Sequence, residues 1–279
     1  MGDKAIYEYT NYTSPIGLVI GRYIYEYDIE HANISILHEA KEISDQIFNL
    51  LLRSSKQDRE IMVGRLLEKG RSSRAVKLLE VLDNGFLQAR KNIIESNQID
   101  SHSILMTRKD SIFVLDRHLS HTRFGEVQFL LKNTYTSYYN LGLNNLVLLY
   151  GKKSVGFMKE EDFLVVKGIS KSNQELHSQY MMKFLSNLLY MAEHSDITYV
   201  LFELKDFMKK YRNRELPIGY YREFNASSKY RVLLSVHHLN TEYGLQSVSE
   251  TEDVYSIDIG YNYEVLVKLY QLFSSKYFG

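Results

Sequence analysis

Cysteine is absent from this 279-residue chain, and so is tryptophan. Without cysteine the chain can hold no disulfide framework, no thiol nucleophile and no cysteine-ligated zinc site, and it suits a reducing cytoplasm. Long apolar runs are lacking too, because no stretch of the sequence reaches the roughly 18 to 20 residues that a membrane-spanning helix needs. We therefore expect an intracellular, cytoplasmic protein without a membrane partner.

An excess of charge of one sign is also missing, since 34 Lys and Arg balance 34 Asp and Glu. A net charge of zero does not indicate a nucleic-acid-binding protein, so such a surface must come from local clusters of basic residues. Hydrophobic residues make up 44% of the chain and charged residues 24%. This composition is typical of a globular protein with a sizeable core, in one large domain or two modest ones.

The spacing of apolar residues changes period along the chain. Strand-like stretches cover residues 16–29, 104–115, 127–131, 146–150 and 163–166. Helical spacing covers residues 35–53, 58–69, 73–96, 173–192, 196–211 and 263–275. Strands, helices, a strand hairpin, further strands and then helices predict an α+β fold.

Two segments place an acidic residue at the end of an apolar strand. Residues 16–29 predict two short strands joined by a turn; the second strand ends near Asp28, and a helix starts near Ser35. Asp110 lies in a charged turn between the two apolar halves of residues 104–114. If these strands are neighbours, both carboxylates meet at one edge of a sheet, where divalent metal ions find hard oxygen ligands. Each residue alone also fits a helix cap or a hairpin turn, so the hypothesis depends on the pair.

These segments resemble motifs A and C of the family B DNA polymerases. DIEHANISIL, residues 28–37, is similar to motif A (D-x-x-S-L-Y-P-S-I-I) at Asp28, at Ser35 and at the two residues after Ser35. MTRKDSIFV, residues 106–114, is similar to motif C (Y-G-D-T-D-S-I-F-V) from Asp110 onward. The first segment also fits motif A of reverse transcriptases, which share the palm domain.

Two further segments follow in the family's order. Residues 132–135 (KNTY) resemble the K-K-R-Y segment, which touches the primer-template, and residues 166–169 (VKGI) resemble the later K-G-[IL] segment. The resemblance implies nucleic-acid contacts for Lys132, Tyr135 and Lys167.

The resemblance implies a palm-like antiparallel sheet covered by helices over residues 1–170, with a helical insertion at about 38–100. A helix-rich, thumb-like or accessory region would follow over 171–279. The implied function is a template-dependent nucleotidyltransferase, a DNA or RNA polymerase or a primase, in viral or plasmid replication. Asp28 and Asp110 would be its catalytic residues and ligands of Mg²⁺ or Mn²⁺. Its partners would be a primer-template, nucleoside triphosphates and a protein that supplies missing polymerase elements.

Departures from the family pattern support a second interpretation. Arg108 replaces the first Asp of motif C, where a cation opposes a second metal ion or binds a phosphate. Motif B (K-x3-N-S-x-Y-G) has only a faint counterpart in residues 77–86. Both departures favour a non-catalytic palm relative that binds nucleic acid or assists replication or transcription. A third interpretation is an unrelated α+β interaction protein.

Further candidate residues come from basic clusters and from motif A. In palm enzymes a basic helix beyond motif A grips the triphosphate. The predicted nucleotide-binding residues are Asn33, Ser35, Arg71, Arg74 and Lys77. Asn33 replaces the Tyr that excludes a 2′-hydroxyl, so it predicts tolerance of ribonucleotides; it also fits a capping residue.

Basic and aromatic residues alternate over 205–231, as in surfaces that hold nucleic acids. The predicted nucleic-acid-binding residues there are Lys209, Lys210, Arg212 and Arg214. Both basic clusters also fit solvated helix faces.

Overall fold

The computed structural model describes residues 2–68, 72–143, 145–154, 160–224 and 260–278. The helices in these ranges are α1 (Gly2–Glu8), α2 (Ala32–Glu39), α3 (Asp45–Arg53), α4 (Lys56–Glu68), α5 (Ser73–Ser96), α6 (Lys171–Leu176), α7 (Met181–His194), α8 (Ile197–Arg212) and α9 (Gly260–Phe278). The strands are β1 (Tyr12–Thr13), β2 (Leu18–Ile29), β3 (Ile104–Arg108), β4 (Ser111–Leu115), β5 (Arg123–Phe124), β6 (Val127–Asn140), β7 (Val147–Ser154) and β8 (Glu160–Lys167).

The described strands form an antiparallel sheet in the order β1-β3-β4-β2-β6-β7-β8, and β5 pairs with β6. Helices together with this sheet confirm the predicted α+β fold class. Two compact units divide the chain: unit 1 is Met1–Pro15 with Tyr23–Thr134, and unit 2 is Ile16–Arg22 with Tyr135–Gly279. These units are defined by packing alone, so the palm-like region 1–170 and the thumb-like region 171–279 stay predictions.

Three predicted elements differ in detail from the structure. The helix predicted over residues 35–53 is two helices, because the chain leaves α2 at Ala40 and Lys41 takes a left-handed conformation (φ 58°). The helix predicted over 173–192 is likewise divided into α6 and α7. The two strands predicted over 16–29 are one strand, β2, which passes through Gly21 with a positive φ of 71°. Glycine adopts this conformation without a steric penalty, so β2 continues past it.

The core of unit 1 lies between one face of β2 and β4 and the helices α2 and α5. On α5 the buried residues recur every three or four positions, which places them on one helix face. They pack with Tyr27 and Ile29 of β2 and with Ile112 and Val114 of β4. Each fully buried aliphatic or aromatic side chain contributes about 1.5 to 3 kcal/mol, so this face fixes α5 against the sheet.

Unit 2 has its own core between β7, β8 and the later helices. Leu148 and Tyr150 of β7 pack with Leu185 of α7, Leu204 of α8 and Leu269 of α9. Each of these five side chains has 0% of its surface exposed. The sheet and helices of this unit therefore form a second apolar cluster, which is separate from the core of unit 1.

Gly85 of α5 lies directly against the side chain of Ile36 in α2. A Cβ atom at Gly85 would lie 2.2 Å from Cγ2 of Ile36, whose side chain is buried. By contrast, a Cβ atom at Gly64 of α4 would meet no atom within 4 Å. The first glycine is therefore required by packing, and the second is not.

We expect opposite effects on stability when these two glycines are replaced by alanine. Gly85→Ala should lower the free energy of unfolding by about 1 to 3 kcal/mol, because it overfills the contact between α2 and α5. Gly64→Ala should raise the free energy of unfolding by about 0.5 to 1 kcal/mol, because alanine favours the helix. Urea denaturation followed by circular dichroism measures both changes, and equal shifts for the two variants would contradict this account of Gly85.

Candidate metal and nucleotide site

Asp28 and Asp110 line one cleft of about 370 Å³ in unit 1. β2 and β4 are antiparallel neighbours, and Asp28 stands opposite Ser111 in their register. Asp110 precedes Ser111 in the turn from β3 to β4, and its carbonyl oxygen accepts a hydrogen bond of 2.8 Å from the backbone N–H of Ile29. The sheet thus brings together the two carboxylates that the sequence predicts to converge.

Alternation along β2 decides which side chains share a face with Asp28. Tyr27 and Ile29 belong to the core, so Glu26 and Asp28 lie on the opposite face of the strand. Glu26 is fully buried, and its Oε2 accepts a hydrogen bond of 2.7 Å from Nδ2 of Asn133. A second carboxylate therefore lies beside Asp28 on the same face.

Lys132 of β6, the neighbour of β2, supplies a cation to both carboxylates. Its Nζ lies 2.5 Å from Oδ2 of Asp28 and 3.7 Å from Oε1 of Glu26. Burial acts to lower the pKa of Lys132, but the hydrogen bond to Asp28 and the surrounding carboxylates raise it above its ordinary value. The ammonium is therefore held in its charged form.

The carboxyl of Asp28 is poorly solvated on its other side. Its Oδ1 is buried and has no hydrogen-bond partner among the described residues. Burial, with the charges of Asp110 and Glu26, raises the pKa of Asp28, while the hydrogen bond from Lys132 and its charge act in the opposite direction. An ionised Asp28 therefore gains from any further cation that enters the cleft.

Helix α4 adds basic groups to the cleft. Lys56 and Arg59 line it with Glu60, and Lys56 has 83% of its side chain exposed. Nη1 of Arg59 donates a hydrogen bond of 2.7 Å to the carbonyl of Ser54, which fixes the guanidinium. The lining thus combines three carboxylates, those of Asp28, Glu60 and Asp110, with two cations. Carboxylates and cations together are what a site for a metal-bound phosphate group requires.

Oxygen donors in this cleft fit a hard divalent cation. Asp28 and Asp110 provide carboxylate oxygens, and the buried, unpartnered Oδ1 of Asp28 is suited to a ligand bond. Among the described residues there is no group of three or more His, Asp or Glu side chains that could enclose a metal ion. An ion here would therefore share its ligand shell with water or phosphate oxygens, as Mg²⁺ commonly does.

A family model described as the bacteriophage PBS1 gene 130 protein matches residues 1–274 of the chain. The chain belongs to this family. The description of the gene 130 protein names a phage gene and gives no activity, so the resemblance to family B polymerases stays a prediction. A phage family is compatible with the expected viral origin. No curated protein matches the chain.

In this gene 130 family member, the other residues predicted to bind a nucleotide are dispersed. Asn33 is exposed and lines the cleft. Ser35 is buried, and its hydroxyl donates to the carbonyl of Glu30, so it stabilises the turn before α2. Lys77 pairs with Glu42 at 2.8 Å, and Arg74 lines a separate apolar groove formed by α3, α4 and α5. Arg71 lies outside the described residues.

The residues predicted to contact nucleic acid differ in their exposure. Tyr135 is buried and packs against Phe163, which removes its ring from the surface. Lys167 is half-buried at the end of β8. In unit 2, Lys209, Lys210 and Arg212 are exposed in the last turn of α8, where cations also complement the helix dipole.

Two of these basic side chains in unit 2 have partners within the unit. Nζ of Lys210 pairs with Asp206 at 2.6 Å, and the guanidinium of Arg214 lies 5.0 Å from the ring centre of Tyr221. The basic surface at the end of α8 is thus present, and its binding of nucleic acid stays a prediction. No helix among the described ranges is long and apolar enough to span a membrane.

Sequence reasoning missed Glu26, Lys56 and Arg59. Strand alternation could have found Glu26, because residues two apart on a strand share a face. Lys56 and Arg59 are three apart on one helix, the spacing that also drew attention to Arg71, Arg74 and Lys77. Only the placement of α4 beside the carboxylates distinguishes the first pair from the second cluster.

Proposed function

We propose that this protein is a template-dependent nucleotidyltransferase that acts on nucleoside triphosphates in the cytoplasm of a phage-infected cell. The observation that carries the proposal is that Asp28 of β2 and Asp110, in the turn just before the adjacent antiparallel strand β4, line one cleft that also contains Lys56 and Arg59. Motif-like segments in the order of family B polymerases supply the template-dependent part of the proposal.

Each residue of the cleft has a separate role in this proposal. Asp28 and Asp110 hold Mg²⁺ or Mn²⁺ through carboxylate oxygens. The chemistry that such ions supply is activation of the attacking 3′-hydroxyl and neutralisation of charge on the leaving pyrophosphate. Lys56 is exposed, pairs with Glu60 at 3.8 Å across one helix turn and would turn towards the triphosphate, while Arg59 provides a fixed positive charge at the wall of the cleft. Asn33 lines the same cleft, and in this proposal its amide contacts the sugar.

Two observations favour a second function, a non-catalytic palm relative that binds nucleic acid or a replication or transcription protein. Lys132 already neutralises Asp28, and Arg108 stands where family B has another acidic residue. In the structure, however, Nη1 of Arg108 donates to Oγ1 of Thr13 at 3.2 Å, which directs this guanidinium towards β1. The substitution at Arg108 is therefore compatible with either function.

Primer extension with the purified protein distinguishes these two functions. We expect incorporation of nucleotides on a labelled primer-template with Mg²⁺ or Mn²⁺, and incorporation of ribonucleotides as well as deoxyribonucleotides. Asn33→Tyr should reduce ribonucleotide use selectively, because a bulky ring excludes the 2′-hydroxyl that an amide can bind. Tight binding of the primer-template without extension would favour the non-catalytic relative, and unchanged sugar selectivity in Asn33→Tyr would contradict the role of Asn33.

A further inference from the structure

Lys132 brings a positive charge to the carboxylate that the proposed function assigns to a metal ion. Its Nζ lies 2.5 Å from Oδ2 of Asp28, and Glu26 and Asp110 add negative charge around the same ammonium. Glu26 has only 1% of its side chain exposed, whereas Lys132 has 50% exposed. Asp28 is intermediate, with 23% of its side chain exposed. The carboxylates thus lie deeper in the protein than the cation, which reaches them from the solvent side.

An ammonium and a divalent ion compete for the same oxygen. Like charges a few ångströms apart repel, so a metal ion on Asp28 and an ammonium on Oδ2 destabilise each other. Lysine is suited to such an exchange because its charge is at the end of a flexible four-carbon stem, so the ammonium can turn into solvent without moving β6. A phosphate group near the mouth of the cleft would stabilise it in that outer position.

We propose that Lys132 is an internal cation that occupies Asp28 in the free protein and is exchanged for a divalent metal ion when nucleic-acid phosphate draws its ammonium outward. The proposal rests on the proposed function, because it assumes that Asp28 is a metal ligand. Its consequence is positive coupling: bound nucleic acid raises the affinity for metal, and bound metal raises the affinity for nucleic acid by the same factor. The free protein thus keeps Asp28 paired with a cation and loads metal together with the template.

Manganese binding to the full-length protein, followed by electron paramagnetic resonance of free Mn²⁺, tests this exchange without any activity assay. Lys132→Met removes the ammonium and keeps the length of the side chain, so we expect about a tenfold lower Kd for Mn²⁺, within the usual range of coupling factors. Lys132→Gln should act in the same direction, and it retains a group that can donate to Asp28 if the methionine variant folds poorly.

Lys109→Met is the matched control. It also removes one positive charge next to Asp110, but Nζ of Lys109 pairs with Asp83 at 3.2 Å. We expect its Kd for Mn²⁺ to stay within about twofold of the wild-type value, since screened charges outside direct contact have small effects. If Lys109→Met lowers the Kd for Mn²⁺ as much as Lys132→Met does, the effect comes from general electrostatics, and the proposed exchange is wrong.

A short DNA primer-template added to the same titration supplies the second test. We expect saturating DNA to lower the wild-type Kd for Mn²⁺ about tenfold and to leave that of Lys132→Met nearly unchanged, as reciprocal coupling through Lys132 requires. If wild type and Lys132→Met bind Mn²⁺ with the same Kd, both without DNA and with it, the exchange is wrong. The metal site of the proposed function would still stand in that case. If no variant binds Mn²⁺, both the exchange and the metal site of the proposed function are wrong. Asp28→Asn is the control that identifies which part of the Mn²⁺ signal belongs to this site.

Discussion

Replacement of Asp110 by asparagine is expected to reduce nucleotide incorporation by at least about 10³-fold, on the scale of losing one essential electrostatic group in an active site. The amide has nearly the size of the carboxylate but lacks the negative charge that holds a divalent ion. Asp110 is the better of the two acidic residues to replace in this test. Its carboxylate forms no ion pair with any described residue, whereas Asp28 pairs with Lys132. The free energy of unfolding should therefore change by less than about 0.5 kcal/mol.

Asp83→Asn provides the control for this experiment. Asp83 is a half-exposed carboxylate of α5 that pairs with Lys109 and does not line the cleft. Single-nucleotide extension with Mg²⁺ and with Mn²⁺ should be normal in Asp83→Asn and undetectable or nearly so in Asp110→Asn. If Asp110→Asn extends the primer at the wild-type rate, Asp110 is not a metal ligand in the reaction, whatever its position.

Helix α5 shows how much of the fold local sequence determines. Its predicted bounds, Ser73 to Ser96, are those of the structure. Ser72 accepts a hydrogen bond from the N–H of Ala75, and apolar residues then recur at helical spacing over the whole segment. Both signals lie within the helix itself, so tertiary contacts are not needed to read them.

The break between α2 and α3 shows what periodicity alone does not reveal. Apolar spacing continues from Ile36 to Leu51, so the sequence predicts one helix. The structure begins a new helix at Asp45, where the side chain of Ser44 accepts from the N–H of Ile47. A serine inside an apolar pattern fits both a helix interior and an N-cap, and only packing decides between them.

In the candidate site, too, some features can be predicted from local sequence, and others depend on contacts between distant parts of the chain. Asp28 and Asp110 can be paired from sequence because a hairpin and a strand end constrain where they lie. The contact of Lys132 with Asp28 depends on β6 being the neighbour of β2, and these two residues are 104 positions apart in the chain. The sequence signal around Lys132, a K-K-R-Y-like segment, pointed to nucleic acid instead. A cross-strand register of this kind is fixed by the whole sheet and cannot be read from one strand.

Arg90 offers the second large effect, on stability. Only 3% of the surface of Arg90 is exposed, and no carboxylate of a described residue pairs with it. Burial lowers the pKa of Arg90 to about 10, so the guanidinium stays charged at neutral pH. Its donors bind four carbonyl oxygens instead, those of Ile6, Tyr9, Thr10 and Arg108. One side chain thus connects the N-terminal segment to the end of β3, just before the turn that carries Asp110.

We expect Arg90→Met to lower the free energy of unfolding by about 3 kcal/mol or more, because several carbonyl groups lose their partner and each buried, unsatisfied acceptor costs about 1 to 3 kcal/mol. Arg90→Lys should recover less than half of this loss, since one ammonium cannot span the set of carbonyls that a planar guanidinium reaches. Urea denaturation followed by circular dichroism measures the change, as the chain has no tryptophan to serve as a fluorescent probe.

Arg117→Met is the matched surface control, because Arg117 is exposed and also donates to backbone carbonyls, those of Asn97 and Gln98. Water can replace the guanidinium there, so we expect a loss below about 1 kcal/mol. Limited proteolysis adds a local measurement: Arg90→Met should be cleaved faster within residues 2–13, whose carbonyls Arg90 binds, while Arg117→Met should be cleaved there at the wild-type rate. Equal unfolding midpoints for Arg90→Met and Arg117→Met would show that burial of the Arg90 guanidinium is not what stabilises this part of unit 1.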